Sequence, residues 1–381
     1  MTFPLRLLLA AALVSPAASR AQNSLPSETK TKVMGATAFI QGKKGHGSGF
    51  VVKPGVFATN AHVVRDEIVD EVRARFIDSE GNEKKFAVKL LAIDKARDLA
   101  LLWAKDLPGD YRPLAIAAKV DIASRPSVFV IGNPAQAEGG ISLINSLGTG
   151  SLGNEMVMRE GKPYYQLTVG TSRDSIRVGP GNSGGPIVNA KGEVVGVLTA
   201  GIIDLRTRRP TEKMYAVPAS AVQAAIDGIG SPGEWEKASA NAVERHATDL
   251  TVRSVYANVL IAETVLKGRK AIWENAFGSS LFFTYVNGNP VSEDKGLIEL
   301  FQKCDKAIRE KTKLTSKAAL DGTTLPKEQK QQLRTMLTKL DSIRTVVVGK
   351  KATTAQVKKC EESILECDKA FDKIAAETGW T

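Results

Sequence analysis

Residues 180–186 read Pro180-Gly181-Asn182-Ser183-Gly184-Gly185-Pro186. Glycines on either side of Ser183 let the backbone turn tightly and hold the hydroxyl out. They also permit φ/ψ values that aim the amides of Gly181 and Ser183 at one point, as an oxyanion hole requires. Taken alone, a glycine-rich loop with one serine is more often a turn and nothing else. Its weight depends on what the rest of the chain offers, because a serine hydroxyl near neutral pH needs a base, normally histidine.

The chain has three histidines. His62 sits in Ala58-Thr59-Asn60-Ala61-His62-Val63-Val64, just after the glycine-punctuated strand Gly47-Ser48-Gly49-Phe50-Val51-Val52. His46 lies in the basic loop Lys43-Lys44-Gly45-His46-Gly47 and is expected in solvent. His246 lies in a charged helical segment, where a surface position is expected. An imidazole base in turn needs a carboxylate to hold its tautomer. Asp98 opens the apolar run Leu99-Ala100-Leu101-Leu102, so it can be buried beside a histidine. Asp94 precedes a turn, which suits a solvated or capping role.

Around these residues, from about 33 to 226, the chain is a series of short β segments broken by Gly, Pro, Asn and Asp. Ala38-Phe39-Ile40, Leu90 to Ile93, Val128 to Ile131, Ile187-Val188 and Val194 to Leu198 are examples. Many short strands with turn signals between them predict a barrel or sandwich. Pro218 to Ile226 then reads as a helix and residues 229–233 as a linker. Beyond it the pattern becomes helical. Leu297, Phe301, Cys304 and Ile308 form one stripe, and Leu333, Met336, Leu340 and Ile343 form a second after Pro326. Val357, Cys360, Ile364, Cys367, Phe371 and Ile374 form a third, stepping by three and four. A helical domain over 234–381 is expected, with a three-helix bundle at 292–376.

The 381 residues suffice for two domains, and 43% hydrophobic with 24% charged residues is a globular composition. The net charge of +11 is spread along the chain without runs of like charge, which argues against a nucleic-acid partner. Three cysteines, all beyond residue 300, exclude a disulfide-dense scaffold or a cysteine-rich metal domain. No HExxH, CxxC or paired histidine occurs, so neither a metal nor a cofactor is expected. Cys360 and Cys367 are two helical turns apart, too far to pair, while Cys304 with either could staple two helices. Residues 1–21 have Arg6, the apolar run Leu7 to Val14, a Ser15-Pro16 break, then Ser19 and Ala21. That is the form of a signal peptide, with a mature segment from Gln22 to residue 32, and it implies a periplasmic or secreted protein. The apolar run is too short to span a bilayer.

Taken together, GSGF at 47–50, TNAHVV at 59–64, DLALL at 98–102 and PGNSGGP at 180–186 resemble the chymotrypsin/trypsin-like serine proteases, closest to the bacterial HtrA/Deg-type branch. Ile131-Gly132-Asn133-Pro134, the strand from Gly192 to Ala200 and Tyr215-Ala216-Val217-Pro218 extend the likeness over residues 33–228. The resemblance implies two six-stranded antiparallel barrels, mainly β, and an endopeptidase cutting polypeptides through an acyl-enzyme. Its catalytic residues would be His62, Asp98 and Ser183, with Gly181 and Ser183 as oxyanion hole. It implies that Leu198-Thr199-Ala200 receives the substrate main chain, and that Ser175-Ile176-Arg177-Val178 lines the primary specificity pocket. Arg177 turned inward would favour an acidic residue; at the rim it would leave the aliphatic preference common in the family. Asn182 stands where trypsin has an aspartate that pairs with a new N-terminus, so that activation route is not expected here. Family members usually carry a peptide-binding PDZ domain after the protease. Here only Tyr285 to Val291 looks like one strand-turn of such a domain, and a helical appendage is expected instead, serving oligomerisation or a protein partner. The alternative to an enzyme is a latent or non-catalytic, chaperone-like binding protein on the same fold, regulated by its helices.

Overall fold

The computed structural model describes residues 24–42, 45–65, 72–77, 80, 82–133, 146–159, 161–169, 181–204, 209–277, 292–312, 325–349 and 353–378. The expected leader, Arg177 and the 285–291 fragment lie outside the described residues. The chain divides into two compact units, Met1–Gly230 and Ser231–Thr381.

The first unit begins with α1 (Ser27–Gly35), β1 (Thr37–Gln41), β2 (His46–Lys53), β3 (Val56–Thr59) and α2 (Ala61–Val64). It continues with β4 (Arg73–Ile77), β5 (Glu83–Ala87), β6 (Lys89–Asp94) and β7 (Leu99–Trp103). These strands form one antiparallel sheet in the order β5-β4-β1-β2-β3-β7-β6. Its β4, Arg-Ala-Arg-Phe-Ile, alternates half-exposed with buried residues, the pattern of a strand with one wet face. In β7 the run Leu99 to Leu102 is buried throughout, as expected of a strand covered on both faces. Phe57, Phe76, Phe86 and Tyr111 make an aromatic cluster on this sheet, with Phe76 and Tyr111 ring centroids 4.1 Å apart.

After the connecting segment come β8 (Ser127–Gly132), β9 (Ser146–Arg159), β10 (Lys162–Val169), β11 (Pro186–Val188), β12 (Val194–Asp204), β13 (Arg209–Pro218) and α3 (Ala219–Asp227). The six strands close into a barrel, β10-β13-β12-β11-β8-β9. Its core takes alternate residues from each strand: Val128 and Val130, Leu167 and Val169, Met214 and Ala216. The expected six-stranded barrel is therefore found in the second half, while the first half is a seven-stranded sheet. One edge of that sheet is β5, whose Glu83, Lys84 and Lys85 are exposed and keep the edge hydrated.

The second unit contains α4 (Trp235–Phe277), α5 (Ser292–Thr312), α6 (Lys327–Val347) and α7 (Thr354–Thr378). Residues 229–233 are only partly a linker, because Pro232–Glu234 is a 3₁₀ turn. The Glu234 carboxylate there accepts from the Ser231 amide at 2.9 Å and its hydroxyl at 2.8 Å. Leu297 and Phe301 of the first expected stripe and the whole of the other two face one core, and α4 adds a fourth stripe. Val252, Val255, Val259, Ala262 and Leu266 step by three and four and are all buried. Small valine and alanine side chains gave this stripe little contrast against its neighbours, so the expected three-helix bundle is in fact a four-helix core. The single helix over 235–277 also leaves no PDZ strands in that stretch. His246 extends the same stripe with Ala242 and Asp249, and at 3% exposure it is buried rather than on the surface. All three cysteines are free thiols, so the Cys304 staple is absent. Burial pushes the Cys367 thiol up to about 11 and raises Cys360 as well. No described helix is long and apolar enough to cross a membrane.

Candidate active site

His62 is carried by α2, a single turn that follows β3 directly, and Asp98 closes the tight turn between β6 and β7. Both belong to the seven-stranded sheet, whereas Ser183 precedes β11 of the barrel. The two layers are clasped at this point. The Ser48 amide of β2 donates to the Ser183 carbonyl at 2.7 Å, and the Ser48 hydroxyl donates to the Gly181 carbonyl at 2.8 Å. The same hydroxyl accepts from the Asn133 amide at 2.9 Å.

Asp98 is held from several directions. Its Oδ2 lies 2.8 Å from His62 Nδ1, its Oδ1 accepts from the His62 amide at 2.9 Å, and the Thr199 hydroxyl donates to Oδ2. Its carbonyl accepts from Asn60 Nδ2 at 2.9 Å, and its backbone sits in the left-handed region at φ 51°. That conformation costs a non-glycine residue energy and persists only where its surroundings fix it. Burial acts to raise the Asp98 carboxyl, but the hydrogen bond and charge of His62, the Thr199 hydroxyl and the His62 amide outweigh it. The group is held below its ordinary value. Asp94, the rival carboxylate, caps the turn instead, accepting from the Arg97 amide at 2.9 Å and pairing with its guanidinium at 2.6 Å. His46 is exposed at the start of β2, against the Phe39 ring.

The serine loop is fixed by close packing. Gly181 has φ 96° and Gly184 φ 86°. A Cβ on Gly184 would lie 2.1 Å from the Ser48 carbonyl oxygen and 2.4 Å from Thr59 Oγ1, so only glycine fits. The Gly184 amide donates to the Leu198 carbonyl at 2.8 Å, and the Leu198 amide donates to the Gly185 carbonyl at 3.0 Å. Leu198 thus spends its main chain on the loop, and its side chain is buried in the barrel. This corrects its expected place as a receiver of substrate. Beyond it, Thr199 and Ala200 lie on β12 past the last residue paired with β11. The Ser183 hydroxyl donates to the Thr199 carbonyl at 2.9 Å. Thr199 therefore touches both the serine and the aspartate. Sequence reasoning gave it a main-chain role only, and also assigned nothing to Asn60, Ser48 or Asn133. Each of these lies inside a stretch that drew attention for its neighbours. Among the described residues no group of His, Cys, Asp and Glu could hold a metal.

Residues 47–197 match the family model of the trypsin-like peptidase domain. Over those residues the chain is similar to that domain, and proteins described as HtrA-like or Do-like proteases are among those it resembles. A Staphylococcus aureus protein described as "Serine protease HtrA-like" is 27% identical over 219 residues, covering 54% of this chain and 27% of that protein. The Arabidopsis thaliana "Protease Do-like 1, chloroplastic" is 25% identical over 278 residues, covering 68% of this chain and 58% of its own. The match thus spans about a quarter of the first relative's length and 58% of the second's. Among solved structures, the active form of the Rv3671c protease from M. tuberculosis aligns at 22% identity over 61% of this chain and 95% of its own, with a TM-score of 0.41.

Proposed function

We propose that the peptidase domain is a serine endopeptidase with Ser183 as nucleophile, His62 as general base and Asp98 as the group that orients His62. The observation that carries this reading is the 2.8 Å contact of His62 Nδ1 with an Asp98 carboxylate that is itself anchored by Thr199 and by the His62 amide. An aspartate bonded at Nδ1 keeps the proton there and leaves Nε2 as the basic nitrogen. Ser183 Oγ turns from the Thr199 carbonyl toward Nε2, loses its proton to it and attacks the scissile carbonyl carbon. The amides of Gly181 and Ser183 stabilise the resulting oxyanion, each such donor being worth about a hundredfold to a thousandfold in rate. His62 returns the proton to the leaving amine, and water then releases the acyl group by the same path. Ala200 and the residues after it receive substrate main chain as an added strand. Residues 1–21 direct export, and the helical unit serves self-association or a protein partner.

The placement of the Ser183 hydroxyl on the Thr199 carbonyl favours a second reading, a latent or binding protein on the protease fold. Fluorophosphonate labelling of the protein from Gln22, followed by intact mass, separates the two. One adduct that disappears in Ser183→Ala supports the enzyme. No adduct on the full protein, with labelling recovered in residues 22–232, makes the helical unit an inhibitor. No adduct on either rejects the enzyme.

A further inference from the structure

The His62–Asp98 pair opens on a cleft of about 260 Å³ whose remaining walls the chemistry above leaves without a role, and those walls are cationic. Arg65 enters it from the end of α2, Lys95 from the turn before Asp98, and Arg159 from the end of β9; His62, Tyr164 and Thr199 complete the lining. Among the described residues that line it, Asp98 is the one carboxylate, and it is engaged by His62 and Thr199. The walls are built rather than incidental. The Arg159 guanidinium lies over the rings of Tyr164 and Tyr215, at 5.5 and 4.6 Å from their centroids. Tyr164 is buried, and its hydroxyl donates to the Ala96 carbonyl at 3.3 Å, tying the β10 wall to the Asp98 turn. A guanidinium stacked on rings keeps its in-plane N–H donors directed outward, the arrangement that grips a carboxylate.

We propose that this cleft is a specificity subsite for an acidic side chain, at the second residue before the scissile bond of a peptide substrate. The inference rests on the serine-peptidase reading. A peptide laid beside β12 with its scissile carbonyl at Ser183 alternates its side chains between the two faces of the added strand. When the residue before the cut points into the barrel-side pocket, the preceding one points toward His62, Lys95 and Arg159. Aspartate or glutamate there meets two cations without displacing the catalytic carboxylate. At the strength usual for exposed ion pairs, two such contacts give roughly a tenfold preference for Glu over Gln.

The test uses the full protein from Gln22 as Ser183→Ala, which binds without cutting. Two blocked, fluorescent peptides, identical except for Glu or Gln immediately before a Val-Ser bond, are titrated by anisotropy. Tighter binding of the Glu peptide, a gap that narrows in 0.5 M salt and its loss in Lys95→Gln/Arg159→Gln are expected. A preference for Lys at that position in Lys95→Glu/Arg159→Glu shows charge recognition, which a merely damaged cleft would not produce. Equal affinity for Glu and Gln overturns the subsite. Fluorophosphonate labelling of the wild type, read separately, decides the peptidase reading, so the two failures are distinguishable.

Discussion

Thr199 couples the two halves of the candidate site, through its hydroxyl on Asp98 and its carbonyl on Ser183. Thr199→Val keeps the side-chain shape and removes the hydroxyl. Losing a hydrogen bond to a charged group lowers kcat/KM by roughly tenfold to a hundredfold. Without that donor the Asp98 pKa rises toward its ordinary value. Because Asp98 is depressed in the folded protein, its contribution to stability is present above the unfolded value near about 4 and is lost as pH falls through the folded one. Acid unfolding monitored by circular dichroism should therefore begin at higher pH in Thr199→Val. Gly184→Ala meets the Ser48 carbonyl oxygen and an unfavourable φ together, and should cost at least about 2 kcal/mol in denaturant unfolding. The pairing of His62 with Asp98 could be anticipated from the sequence because few histidines and few strand-opening aspartates compete for it. Thr199, Asn60 and Ser48 could not, since threonine, asparagine and serine are common in strands and turns. Only the fold shows which of them faces the carboxylate.

At the scale of elements, the helical unit is organised around a buried charge. Arg269 of α4 and Asp294 of α5 are both at 0% exposure and paired through two contacts, one of 3.0 Å. Arg269 also donates to the Val346, Val347 and Gly349 carbonyls at the C-terminal end of α6, where helical carbonyls lack partners. Arg269→Met leaves Asp294 buried without a partner and should cost about 3–5 kcal/mol in chemical unfolding, while Arg269→Met/Asp294→Leu should recover part of that loss. A double variant no more stable than the single one would mean that the carbonyl contacts, not the ion pair, dominate. No periodicity reveals such a pair, because an arginine within a charged, polar stretch reads as solvated until its neighbours are known. The helices themselves were legible wherever leucine, isoleucine and phenylalanine marked the stripe, and α4 was blurred where valine and alanine did.

For the whole molecule, the switch from short strands to long helices falls where the chain divides into its two compact units. Expressed separately, residues 24–230 should give a β-type far-UV spectrum and residues 231–381 a strongly helical one with a cooperative thermal transition. A helical fragment that melts without cooperativity would show that its core needs the rest of the chain. Strand number was the part of the β unit that sequence could not supply. The charged segment Glu83-Lys84-Lys85 has no apolar residue to mark it as a strand, and it forms the edge strand β5 by pairing with β4.

The position of Arg269 also has a meaning in time. Its carbonyl acceptors lie 77, 78 and 80 residues further along the chain. At ordinary synthesis rates of about 5–20 residues per second, Arg269 is made roughly 4–15 s before the carbonyls that accept its remaining hydrogen bonds. The β unit, complete upstream, can fold during that interval, whereas the helices cannot close until the end of α6 has been made. A chain cut short before Val346 would keep the Arg269–Asp294 pair but leave the other guanidinium donors without the carbonyls that satisfy them in the finished bundle. A defect near the end of the polypeptide is thereby registered at a residue more than seventy positions earlier, and such products should be selectively degraded.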